Sequence, residues 1–219
     1  MAESIATASE GDEIVTQKEK NKLRRQDFAR LKTVGFQHGA IIVAIVILWA
    51  SANQWAQQTD LVLAQGISIA SGFFAGVGLA FLFHEWGHFS GARVAASISP
   101  VLEERKSFFM FSFDLIENSR NQFLMMSLGG PVANWCLVGM VLLFFPPDDL
   151  ASIMLLAATA GVAVNVCVFE LPVIKRVLDG AVPGDALTQR VVEVRHSGWL
   201  SKYSGLLVGI GIFFSIGVF

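Results

Sequence analysis

His84, Glu85 and His88 stand in the run Phe81–Ser90, FLFHEWGHFS, inside a long apolar stretch. On a helix, residues four apart share one face about one turn apart, so both imidazoles can reach one ion. Glu85, next to the first imidazole, can sit beside that ion without binding it and act as general base on a water. This is the HExxH spacing that holds zinc for hydrolysis. Zinc lowers the pKa of its bound water to about 7, where a carboxylate can take the proton. HExxH also arises on the solvated faces of soluble helices. The apolar surroundings speak against that here, because ionisable groups within a membrane span are costly and mark function. The other two histidines, His38 and His196, are too few for the histidine boxes of a desaturase-type di-iron site.

Two imidazoles leave a catalytic zinc short of a third protein ligand. The stretch VNVCVFELPVIKRVLDGA offers two. Asp179 lies in its LDG, and Glu170 lies nearer the apolar run. Either completes a set of two histidines and one carboxylate. Glu103, Glu104 and Asp114 are loop carboxylates and weaker candidates.

The elements that must position these groups are read from composition. Of 219 residues, 53% are hydrophobic and 16% charged, and the mean hydropathy is +0.57. Soluble domains carry roughly 25% charged residues, so the chain reads as an integral membrane protein. Nothing in it suggests nucleic-acid binding. Cys136 and Cys167 both lie in apolar runs and read as small buried hydrophobes.

Apolar runs long enough to cross a bilayer are Val34–Ala50, Leu61–Ser90, Phe123–Phe145, Leu150–Leu171 and Leu200–Phe219, the last being short. The expected fold is an all-α polytopic membrane protein of about five transmembrane helices. Residues 1–33 form a basic segment, disordered over 1–12, with a surface helix over Thr16–Lys32. Residues 34–219 form the membrane domain, its core about 61–180. No secretory signal is read at the front. The 16 Lys and Arg group before the first run, between the second and third, and around the last connection. The positive-inside rule then places the N-terminus in the cytoplasm.

Three local features bear on the site. Gly72 and Gly76 have the GxxxG spacing of close helix packing. In GGPVANW, Gly130 and Pro131 open the backbone, which at membrane depth needs cover from protein or a water-filled cavity. Asn134 can bond the freed backbone or line that cavity. The plainer reading is a helix start with Pro131 early in it. Between the second and third runs, KSFFMFSFDL aligns Phe109, Phe111 and Phe113 on one face if extended. ASISPVL is its hairpin partner, turning at EERK. An interfacial aromatic loop is the competing reading.

Taken together, FHEWGHFSGAR, SLGGPVANW and FELPVIKRVLDG resemble, in order, three motifs of the site-2 protease family, the intramembrane zinc metalloproteases. The match covers about residues 74–180. The resemblance implies Zn2+ held by His84, His88 and Asp179, with Glu85 as catalytic base. It makes Gly130, Pro131, Asn134 and Glu170 substrate-binding or structural residues. It also implies a transmembrane protein substrate within the lipid bilayer, and the small chain without a further domain reads as a prokaryotic inner-membrane protein. The third segment departs from the family pattern. Glu170 stands where the family has asparagine, the spacing from Pro172 to Asp179 is longer, and the second proline is missing. Alternatives of other classes are a non-catalytic metal-binding or scaffold protein with the same fold, and a divalent-metal transporter. The transporter would need polar residues along more of the spans.

Overall fold

The computed structural model describes residues 2–103 and 110–217, with side chains from residue 22 onward except 23, 197, 200 and 201. Among these residues the chain forms six helices and no strand: α1 (Ala2–Gln58), α2 (Val62–Val94), α3 (Arg120–Phe144), α4 (Leu150–Leu178), α5 (Pro183–Ser197) and α6 (Trp199–Gly217). Local chemistry explains the boundaries. Ser119 starts α3 with a reciprocal cap, its hydroxyl accepting from Gln122 N while Gln122 Oε1 accepts from Ser119 N. Asp149 starts α4 by accepting from Ser152 N at 2.8 Å. Pro183 opens α5, where its missing N–H costs nothing. Past the end of α4, Gly180 takes φ of 109°, a conformation that favours glycine.

Among the described residues four helices are long and apolar enough to cross a membrane: Arg24–Gln58 within α1, and all of α2, α3 and α4. Outward-facing Phe36, Val62, Phe74 and Leu143 are strongly exposed, the surface that helices present to lipid. In α6 the apolar stretch Lys202–Gly217 is shorter, so four of the five expected spans are matched among the described residues. α1 joins the basic segment to the first apolar run in one helix, where a separate surface helix was expected. The expected disorder over residues 1–12 falls where no side chain is described.

α2 lies at the centre and packs against α1, α3 and α4, while α6 packs on α4. Its N-terminal half meets α4 through the GxxxG pair. A Cβ on Gly72 would lie 2.5 Å from Ala151 O, and one on Gly76 2.6 Å from Ala158 Cβ. Its C-terminal half meets α3 just as closely. A Cβ on Gly87 would lie 2.6 Å from Ala133 Cβ, one on Gly91 would overlap Met125 O, and one on Gly129 would overlap Gly87 O. The core follows the same lines. Leu79, Ala80, Leu137, Val141, Leu155 and Leu156 bury together between α2, α3 and α4.

The cysteines do not behave as core residues. Cys136 is exposed and Cys167 half-buried, because both fall off the helix faces that pack. Of the expected hairpin, one antiparallel bridge joins Val101 to Phe111, with Leu102 N donating to Met110 O and Ser112 N to Pro100 O. Its turn, and Phe109, lie outside the described residues. Val101, Met110 and Phe111 bury against Val34, Phe89 and Ala92, which fastens this loop to α1 and α2.

Candidate metal centre

His84 and His88 come from the C-terminal half of α2 and Glu170 from α4, whose helix runs unbroken through that residue. Their ligand atoms form a tight triangle. His84 Nε2 and His88 Nε2 are 2.9 Å apart, and Glu170 Oε1 lies 3.1 Å from the first and 3.2 Å from the second. All three side chains are largely buried, at 17%, 12% and 16% exposure.

The hydrogen count inside this triangle favours a cation. His88 Nδ1 faces the Met126 carbonyl at 2.8 Å. A carbonyl only accepts, so this nitrogen carries the proton, and the Nε2 of a neutral His88 presents a bare lone pair. Glu170 Oε1 also presents lone pairs. A single proton on His84 Nε2 satisfies one neighbour and leaves two acceptors face to face. Glu170 Oε2 and His84 Nδ1 are buried with no hydrogen-bond partner. Tetrahedral zinc, with bonds of about 2.0–2.1 Å, separates its ligands by roughly 3.3–3.4 Å. The triangle therefore needs to open by only a few tenths of an ångström, and the residues fit the ion.

Gly130 makes room for the imidazoles. A Cβ there would lie 2.5 Å from His84 Cε1 and 2.6 Å from His88 Cε1. Pro131 is buried in the middle of α3, not at a helix start. Its missing N–H leaves the carbonyl one turn back, that of Ser127, without its usual partner. Asn134, one turn beyond Gly130, is 1% exposed, and neither amide atom has a partner. Glu85 is buried, and its Oε1 accepts from Met110 N at 2.8 Å, tying the carboxylate to the bridge segment. It interacts electrostatically with both imidazoles.

The structure does not bring Asp179 to this group. Asp179 caps the end of α4 and pairs with Lys175 at 2.7 Å, with 62% of its side chain exposed. The reason is helical geometry. Nine residues are about two and a half turns, so Asp179 sits about 14 Å beyond Glu170 and on the opposite face. Of the set that the resemblance implies, the structure thus brings His84 and His88 together without Asp179, and among the described residues His84, His88 and Glu170 are the ones able to hold a metal. Among the weaker candidates, Glu103 pairs with Arg30, Asp114 accepts from the Ile116 and Glu117 amides, and Glu104 lies outside the described residues.

One positioning residue was not anticipated. Pro172 removes the N–H that would bond the Val168 carbonyl one turn earlier. Arg190, on α5, takes its place. Its Nη2 donates to Val168 O at 2.6 Å and its Nε to Phe169 O at 3.2 Å. Glu193 accepts from both Arg190 and Arg176, so α5 is strapped to the turn that carries Glu170. The orphaned carbonyl could be read from Pro172. Which donor reaches it depends on the path of the chain after Gly180.

The fold and site define a helical bundle with apolar candidate spans and a buried two-histidine, one-carboxylate cluster beside a second acid, Glu85. No family model, curated protein or solved structure matches the chain.

Proposed function

We propose that the chain is an intramembrane zinc metalloprotease, resembling site-2 proteases, that cleaves peptide bonds in or near transmembrane segments of other proteins. The observation that carries this is the meeting of His84, His88 and Glu170 within 3.2 Å of one another, with Glu85 buried one residue from the first ligand. His84 Nε2, His88 Nε2 and Glu170 Oε1 are the atoms that would hold the ion. When bound, zinc supplies a Lewis acid for the scissile carbonyl and acidifies water. Glu85 takes the proton of the attacking water and returns it to the leaving amine. To do so its carboxylate loosens from Met110 N. Gly130 gives the imidazoles their space, and Asn134 offers a free amide one turn deeper. The apolar bundle excludes bulk water.

In the same reading α6 is a fifth span, and the Val101–Phe111 bridge belongs to the expected hairpin, whose turn lies outside the described residues. The cluster sits toward the cytoplasmic end of a prokaryotic inner membrane, with the N-terminus cytoplasmic. The charge grouping supports this orientation.

The test is zinc per chain and cleavage of a transmembrane substrate, in full-length protein. Glu170→Gln is expected to lose zinc and Asp179→Asn to keep it. Glu85→Gln is expected to keep zinc and lose cleavage. Retention of zinc by Glu170→Gln together with its loss in Asp179→Asn would overturn the ligand set. Equal cleavage by wild type and Glu85→Gln would leave a non-catalytic metal-binding protein.

A further inference from the structure

Beyond the metal centre, α1 and the C-terminal end of α2 enclose an open cavity of about 480 Å3 lined by Arg24, Arg25, Asp27, Phe28, Leu31 and Arg93. Arg24, Asp27, Phe28 and Leu31 recur at the spacing of one helix face. Three guanidinium groups thus meet one carboxylate, and that carboxylate is already engaged. Asp27 Oδ1 accepts from Val101 N and Oδ2 from Arg93 Nη2, both at 2.8 Å. Arg93 Nη2 also donates to Ser99 O, and its other donors take no hydrogen bond among the described residues. Arg24 and Arg25 are exposed, and neither makes an ion pair or hydrogen bond among the described residues. Among the described residues the lining therefore carries two guanidinium groups, Arg24 and Arg25, beyond the Arg93–Asp27 pair.

Its lining is ordered along α1. The arginines lie farthest from the apolar run, Phe28 stands 57% exposed one turn nearer it, and Leu31 borders the run itself. Cation, aromatic edge and hydrocarbon follow one another as phosphate, glycerol and acyl chain do in a phospholipid. Guanidinium forks match phosphate oxygens in pairs.

We infer that this cavity binds the phosphate of an anionic phospholipid, held by Arg24 and Arg25 with Arg93 behind them. A zwitterionic lipid brings its own ammonium beside the phosphate and meets repulsion from the same arginines. Free phosphate leaves Phe28 and Leu31 uncovered.

The experiment uses the full chain in phosphatidylcholine nanodiscs, titrated with a short-chain phosphatidylglycerol, with bound lipid read by native mass spectrometry. Separate arms use inorganic phosphate and added phosphatidylcholine. Arg24→Gln/Arg25→Gln is expected to weaken phosphatidylglycerol binding about 30-fold, and each single change about fivefold. Arg24→Lys/Arg25→Lys is expected to retain part of the affinity. Arg195→Gln/Lys202→Gln removes the same charge elsewhere and is expected to leave binding unchanged. Equal binding by wild type and the Gln pair would overturn the inference. So would an equal loss in the Arg195/Lys202 control, or inorganic phosphate competing at similar concentration.

Discussion

Arg190 and Pro172 form a pair whose coupling can be measured. In Arg190→Met, the Val168 carbonyl loses a 2.6 Å charge-assisted hydrogen bond and the Phe169 carbonyl a 3.2 Å one. Hydrogen bonds to charged groups contribute about 1.5–3 kcal/mol each. The second is long, and the 13% exposed guanidinium recovers hydration on unfolding. The net cost is therefore about 3 kcal/mol. Pro172→Ala returns an amide N–H one turn from Val168 O, so that carbonyl no longer depends on Arg190. In the Pro172→Ala background, Arg190→Met is expected to cost about 1.5 kcal/mol less than in wild type. The assay is reversible unfolding of the metal-free protein in mixed micelles, for wild type, both single variants and the double. Zinc affinity is followed in parallel, and Arg190→Met is expected to weaken it about tenfold by loosening the turn that carries Glu170. Additivity of the two changes to within about 0.5 kcal/mol would refute the strap between α5 and the proline break.

Other outcomes follow from single positions. Gly130→Ala, whose new methyl would press on both imidazoles, is expected to weaken zinc binding about 10–100-fold in chelator competition. Gly139→Ala, in open space, is the neutral control. Gly129→Ala would overlap Gly87 O and is expected to cost about 1–3 kcal/mol of stability by forcing α2 from α3. At the opposite end of the bundle, burial pushes the Asp149 pKa up, but hydrogen bonds from Asn53 and Ser152 outweigh it and hold the carboxyl below its ordinary range. A carboxyl depressed in the folded state contributes stability that is fully present above its unfolded pKa of about 3.9. That contribution fades as pH falls through the lower folded value. Melting temperature measured from pH 6 downward is therefore expected to fall less steeply below about pH 4 in Asp149→Asn than in wild type.

The sequence made the chemistry of α2 plain, because His84 and His88 need only helical spacing and an apolar context to be read as a pair. The same spacing rule found the Gly72 and Gly76 contact with α4. It did not rank Glu170 above Asp179, since that choice depends on whether Pro172 bends α4 enough to bring the later acid inward. The helix instead continues to Leu178, and rotation alone carries Asp179 outward. Gly87, Gly91 and Gly129 have no motif to announce them, although they set the α2–α3 distance. Arg190 was invisible for a related reason. Its partners are main-chain carbonyls, which exist at every residue and become distinctive only where a proline has freed one.

The two glycine seams of α2 have a consequence for how the protein is made. A chain synthesised through α3 already holds both imidazoles, seated against Gly130, yet lacks the carboxylate that completes the triangle. Glu170 arrives only when α4 closes against Gly72 and Gly76, at the opposite half of the same helix. The completed triangle of His84, His88 and Glu170 thus requires α2 to be packed along both halves. A bundle halted before α4 docks holds two of the three residues of the triangle.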